Sequence, residues 1–278
     1  VDTYLPGFPY SDITIRMLLN HRSGLNNYAY FMVDRQLQAY KVKGKKGRWI
    51  KKYRTIKLPV VVKPGLVNNQ DMLDFMIKYK PAVVFGANRA FSYSNTNYAL
   101  LALIIERVAG IPYGAYLKQT IFDPLGMKDT YVFSLADSAR SMPSYFYSGK
   151  QYAFDFLDLV YGDKNIYSTV QELLLWDKAL YNNSIVSEDT YKIATEPCSN
   201  ERKSNHNYGL GWRLLISKSD KKVYHNGWWH GNNAVFVRLI KDTATIITLG
   251  NKYNRSIYTT AKMANIFSTS KNEEDLEE

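Results

Sequence analysis

The sequence predicts an α+β fold: an antiparallel β-sheet flanked by helices and joined to a mostly helical lobe. Three observations predict it. Apolar residues at helical spacing dominate the first 200 residues. Strand-like segments crowd into residues 205–250. Strands and helices do not alternate along the chain, so a parallel sheet of βαβ units is not expected. The 278 residues, 46% hydrophobic, can bury a substantial core. They read as one domain over 1–278. Residues 13–200 form the mainly helical lobe, with a basic insertion at about 30–68. Residues 205–270 form the antiparallel strands and a C-terminal helix.

The elements follow from local chemistry. Residues 14–19 read as a short helix ending before Ser23-Gly24. Residues 26–68 hold no sustained period; they contain a β-rich piece at 58–62 and a Pro64-Gly65 turn, and read as a surface excursion. Asn69 can cap a helix over 70–79, whose Met72, Leu73, Met76 and Ile77 share a face. Ser94 or Asn95 opens a helix through Val108 that is apolar nearly all round and so expected between layers; Gly110 ends it. A helix over 113–121 stops at Asp123-Pro124-Leu125-Gly126. Residues 131–165 look loop-rich. Thr169 and Glu172 form a capping box for a helix through Leu180, and Ser187 caps another. Strands are expected at 208–216, 222–225, 234–240 and 243–249, with a tight turn at Lys241-Asp242, and a last helix at 256–267. There is no internal repeat.

Composition excludes several function classes. Charged residues at 22% and aromatics at 14% are globular, not disordered. The net charge of +11 is uneven. A dense cluster runs from Lys41 to Lys57, and the tail Glu273-Glu274-Asp275-Leu276-Glu277-Glu278 is acidic. No helix-turn-helix pattern, RNA-binding aromatic signature or zinc spacing accompanies the basic cluster, so no nucleic-acid partner is expected and the cluster reads as a solvated loop or hairpin. Cys198 stands alone, which rules out an intrachain disulfide, and it reads as passive. The longest apolar run, residues 98–105, is too short to span a bilayer. The chain opens on Val1-Asp2-Thr3-Tyr4-Leu5-Pro6 and reads as an interior segment of a longer product.

Two motifs carry chemistry. Tyr93-Ser94-Asn95 sits at the mouth of the apolar helix, and His225-Asn226-Gly227-Trp228-Trp229-His230-Gly231 lies between two strand-like segments. Acyl transfer needs a nucleophile, a base, oxyanion donors and groups that hold substrate. A phenol has a pKa of about 10, yet beside a cation its anion is favoured and it can serve as base. A helix entry adds the positive end of a dipole. The Asn95 amide can donate and accept at once, which suits a substrate amide. Gly227 lets a ligand approach the backbone, and the following Trp228 amide can then face an oxyanion. His225 can donate to a substrate carboxylate or to the Tyr93 oxygen, and is expected to titrate near neutrality. Each motif also has a plain structural reading, Asn95 as a helix cap and His225 as a hairpin residue.

Together the segments resemble the serine β-lactamase and penicillin-binding-protein-like superfamily, especially its class C branch with related esterases and D-aminopeptidases. The resemblance covers nearly the whole chain. It rests on residues 13–25 (Ile-Thr-Ile-Arg-Met-Leu-Leu-Asn-His-Arg-Ser-Gly-Leu), the Tyr-x-Asn element at 91–98, Asp123-Pro124-Leu125-Gly126-Met127, Tyr208-Gly209-Leu210-Gly211-Trp212, and the His-x-Gly-x-x-x-Gly run at 225–231, in the family's order. It implies acyl-enzyme hydrolysis of amide, lactam or ester substrates, including D-amino-acid peptides. Tyr93 is then the general base or proton shuttle, Asn95 orients substrate, and His225 replaces the Lys of a Lys-Thr-Gly element. Gly227 keeps the strand open and the Trp228 amide forms half the oxyanion hole. No metal or other cofactor is implied, His21 is structural, and the setting is extracytoplasmic. The family's Ser-x-x-Lys nucleophile belongs upstream of Val1, so the fold is expected to be N-terminally incomplete and this segment inactive by itself. Ser219-Asp220-Lys221-Lys222 and Ser268-Thr269-Ser270-Lys271 match that pattern by chance, since neither opens an apolar helix. Trp228-Trp229 is a departure that should narrow the pocket. The alternative is a catalytically inactive homologue that binds cell-wall-like peptides.

Overall fold

A computed structural model describes residues 1–44, 47–59, 65–199, 204–218 and 220–267. The expected antiparallel sheet is present, with five strands where four were expected, in simple meander order: β1 (His206–Tyr208), β2 (Arg213–Ile216), β3 (Lys221–Trp229), β4 (Asn232–Leu239) and β5 (Ala244–Gly250). The run read as one strand at 208–216 is two. Gly209 and Gly211 turn the chain between them, and Gly211 takes φ +85°, where an added Cβ would lie 3.1 Å from the Tyr98 hydroxyl.

The period-2 pattern sorts the sheet's faces. Val235, Val237 and Leu239 alternate onto one face and pack with Tyr224, Leu215, Ala261 and Ala264. Those alanines belong to the C-terminal segment, mostly 3₁₀ (Arg255–Met263) before a short α-turn (Ala264–Phe267), where a regular helix was expected. Arg238 alternates onto the opposite face and meets the helix Val170–Tyr181 through Asp177. His225 and Gly227, paired with Phe236 and Ala234, share that second face. The sheet therefore lies between a thin C-terminal layer and the helical lobe.

The lobe is built around α1 (Asn95–Ala109), which buries Ala99, Leu100, Leu103 and Ile104 against Leu18, Tyr28, Met72 and Met76. Gly110 ends it at φ +70°. Asn68, not Asn69, caps the helix Asn69–Tyr79, and its capping box uses Asp71. Asn69 is instead fully buried. Its amide donates to the Ala99 and Tyr161 carbonyls and accepts from the Tyr161 N–H, tying two elements together. Thr169 does cap its helix, but Glu172 does not return the bond. Its carboxylate accepts from the Asp129 N–H at 2.8 Å and the Thr130 hydroxyl at 2.5 Å. The helix from Tyr113 runs on through a π-turn to Leu125 before Gly126 stops it. Among the described residues no single helix is long and apolar enough to cross a membrane.

The excursion at 30–68 holds a regular element that its sequence hid. Val33–Lys43 and Trp49–Pro59 pair antiparallel over eleven residues each, as a ribbon separate from the main sheet. Alternation failed as a signal because neither face of the ribbon is buried at its outer half. Residues 60–62 of the expected β-rich piece, the chance Ser268–Lys271 match and the acidic tail lie outside the described residues.

Candidate active site

Tyr93 precedes Ser94, the N-cap of α1, whose N–H donates to the Nδ1 of His21 at 3.2 Å. His225 sits mid-way along β3, not at a strand end, with its ring toward the lobe. The two rings approach to 6.1 Å between centroids. The helical lobe and the sheet therefore bring the predicted phenol and imidazole to one place. Asn95 is the first residue of α1, half-buried, with its side chain in no hydrogen bond among the described residues.

A buried network holds these groups. His21 has φ +54° and no exposed surface. Its Nδ1 accepts from Ser94 N–H and from the Asn97 amide at 3.1 Å, so the proton sits on Nε2 and is donated to Tyr208 Oη at 3.2 Å. The His225 Nδ1 faces the Asn226 carbonyl at 2.8 Å, which only accepts, so that nitrogen carries the proton of the neutral ring. His225 Nε2 then accepts from Tyr208 Oη at 3.2 Å. The neighbouring Tyr98 hydroxyl donates to the Leu19 carbonyl at 2.7 Å. The Asn97 Oδ1 accepts from Ser23, closing the network toward the Ser23-Gly24 loop. His21 is thus structural, as expected.

Titration of His225 near neutrality does not hold. Burial, then the Arg213 guanidinium, lowers its pKa to about 4; burial, then the charges of His225 and Arg213, lowers His21 to about 3. Both are neutral at pH 7, and both bind protons more readily in the unfolded chain, at about 6.5. The sign follows. The unfolded state holds more protons between the two pKa values, so stability rises with pH there and is lost as pH falls below about 6.5 toward 4. Urea unfolding should show stability falling by up to about 1.4 kcal/mol per pH unit for each histidine in that window. His21→Gln should flatten the slope, and an unchanged slope would remove His21 as a source.

Arg213 is the site residue that sequence reasoning missed. Its guanidinium carbon lies 5.2 Å from the Tyr93 ring centre, and its charge acts on His21, His225 and Tyr208. The available signal was a lone cation inside the strand-like run Trp212-Arg213-Leu214-Leu215-Ile216.

The far end of β3 is open. Strand β2 pairs with β3 only over Lys221–Tyr224, and among the described residues no strand pairs with His225–Trp229 on that side. A Cβ at Gly227 would meet only the Ala234 Cβ, at 3.4 Å, so the space beside it is free. A cavity of about 450 Å³ lies along this end, lined by Gly227, Trp228, Trp229, Lys164, Tyr167 and Leu249. Tyr93, Asn95 and His225 do not line it. The Trp228 side chain is 64% exposed and Trp229 turns inward, its indole N–H donating to Asp158 at 2.6 Å. Lys164 lies over the Trp229 ring, donates to Tyr28 Oη and sits 3.8 Å from Asp163. Burial lowers the Lys164 pKa and raises that of Asp163, so each is pushed toward its neutral form. A second cavity of about 300 Å³ shares Tyr167 and Trp229 and holds the His230–Asp158 pair, at 2.8 Å.

Comparisons with known proteins identify the family and the fold. A penicillin-binding protein of Bacillus subtilis (strain 168) is 31% identical over 278 residues, covering 93% of this chain. The chain spans about half the length of the curated relatives it matches, 55% of that protein and 45% of a second from the same organism. Among solved structures, a penicillin-binding protein from Bacillus halodurans superposes with TM-score 0.73 at 18% identity, over 93% of this chain and 74% of the other. A D-amino acid amidase from Ochrobactrum anthropi SV3, complexed with D-phenylalanine, gives 0.67 at 23% identity, over 95% and 80%. These likenesses establish the fold as that of the β-lactamase and penicillin-binding proteins. The β-lactamase family model matches residues 1–270, and the chain belongs to that family.

Proposed function

We propose that the full-length protein is a serine hydrolase that acts by acyl-enzyme chemistry on amide, lactam or ester substrates, with the nucleophilic serine outside residues 1–278. The observation that carries this is the approach of Tyr93 to His225, across the junction of lobe and sheet, beside an open strand edge. Tyr93 takes the proton of the nucleophile and returns it to the leaving group. Arg213 supplies positive charge beside it. Asn95 orients the substrate amide. His225, neutral and with both ring nitrogens engaged, acts as a positioning group and not as a proton carrier. Substrate lies along His225–Trp229 as an added strand, its carbonyl beside Gly227 and its oxyanion on the Trp228 amide.

Similarity to a D-amino acid amidase and to a D-stereospecific amidohydrolase from Streptomyces sp. supports D-amino-acid amides and peptides as the class to try first. Cell-wall-like D-amino-acid peptides as substrates are the support for proposing an extracytoplasmic setting. An acylating lactam or ester probe should add one covalent acyl mass to the full-length protein. A protein that binds D-amino-acid peptides yet never gains that mass is instead an inactive binding homologue.

A further inference from the structure

The separate ribbon carries most of the protein's charge. Residues 33–59 hold ten basic side chains against one acidic, a net +9 of the chain's +11. The register makes this arrangement costly for the protein alone. Lys41 stands directly opposite Lys51, and like charges across a strand pair repel. A two-stranded ribbon with both faces in water is marginal to begin with. Cation–π contacts offset part of the cost: Lys43 lies over Trp49 at 5.9 Å, Lys51 over Tyr53 at 5.5 Å and Arg54 over Tyr40 at 5.8 Å.

The ribbon also exposes what a soluble surface usually hides. Trp49 is 65% exposed, Tyr53 59% and Ile50 48%. Trp49, Lys51, Tyr53, Lys41 and Lys43 share one face by register. The apolar groups gather at the outer end, where Trp49 faces Lys43 and Ile50 faces Val42. Eleven residues per strand carry that end about 35 Å from the root. Indole and phenol rings ringed by lysines match a bilayer's headgroup level. The aliphatic Ile50–Val42 pair discriminates further, because it can enter acyl chains but gives a nucleic-acid base nothing to stack on.

We propose that the ribbon Val33–Pro59 is a peripheral membrane-docking arm, with Lys41, Lys51 and Lys52 on anionic phospholipid headgroups and Trp49 and Ile50 at the acyl boundary. The proposal is independent of the hydrolase reading, since the arm shares no strand with the sheet that bears His225.

Sedimentation of the full-length protein with phosphatidylcholine vesicles, with and without phosphatidylglycerol, tests it. The anionic vesicles should retain the protein at least about tenfold better, and added salt should weaken retention. Joint change of Lys41, Lys51 and Lys52 to Gln should lower partitioning roughly fivefold per lysine, the equivalent of about 1 kcal/mol each. The same three changed to Arg should keep it, and Trp49→Ser should weaken it with every charge intact. Far-ultraviolet circular dichroism and an unchanged urea midpoint, which need no acylation, report that each variant is folded. Equal partitioning of wild type and the Gln variant overturns the proposal. So does tighter binding of the same lysines to an oligonucleotide than to the anionic vesicles at equal salt, or a dimer that Trp49→Ser dissolves.

Discussion

Tyr93→Phe is expected to lower kcat/KM of the full-length protein by about 10²- to 10⁴-fold, the range for loss of a positioned proton-transfer group. The change removes one oxygen and keeps the ring. Packing depends on the ring, which lies 4.2 Å from His21 and 6.3 Å from Tyr208, so unfolding should be nearly unchanged. The loss should fall on kcat, because proton transfer matters in the transition state more than in binding. The rate of acylation by the lactam or ester probe isolates that step. A Phe variant that acylates at the wild-type rate removes Tyr93 from the mechanism.

The second large effect concerns stability. Asp177→Ala is expected to cost about 3–5 kcal/mol, because it strands a buried cation. Arg238 has no exposed surface. Its Nε donates to Asp177 Oδ1 at 2.5 Å, while the other carboxylate oxygen accepts from Thr245 at 2.8 Å. The Tyr191 hydroxyl accepts from Nη1, and the rings of Tyr181 and Tyr191 lie 4.3 and 5.0 Å from the guanidinium carbon. Without the carboxylate, those neutral partners do not offset the charge. The pair joins the helix Val170–Tyr181 to the middle of the sheet, so its loss acts on the whole packing layer. The double change Asp177→Leu with Arg238→Met should recover most of the loss, since a well-packed apolar pair replaces a buried ion pair at little cost. Denaturant midpoints of the three proteins decide it. A single variant within about 1 kcal/mol of wild type would mean that water reaches Arg238.

Much of the fold was legible because burial imposed a period on it. The helix at 95–109 is apolar nearly all round, and it packs in the centre of the lobe's core. The strands from 232 to 250 alternate because one face meets the C-terminal layer. The ribbon at 33–59 was not legible, since a strand pair with water on both sides has no face to encode. Asn69 misled because asparagine is a common cap, and its actual role, bridging Ala99 and Tyr161, depends on residues 30 and 92 positions away. Glu172 misled in the same way, taken from its own helix end by Asp129 and Thr130.

The candidate site divides along the same line. The meeting of Tyr93 and His225 was legible because the two motifs set them beside a helix entry and a glycine strand, which the fold brings to 6.1 Å between ring centres. The environment that sets their behaviour was not. The neutral state of His225 comes from enclosure and from Arg213, and the position of its proton, on Nδ1, is set by the acceptor carbonyl of its own neighbour, Asn226. Tyr208 was legible as part of a motif but not as the hydroxyl that links two histidines.

The account rests on acyl chemistry occurring where Tyr93, His225 and the open end of β3 meet. A crystal structure of the full-length protein carrying the probe adduct tests this directly. The account predicts an acyl carbonyl oxygen within hydrogen-bond distance of the Trp228 N–H, with the Tyr93 hydroxyl beside the acylated serine. An acyl group seated instead against His230 and Asp158, with Tyr93 remote from it, would contradict it.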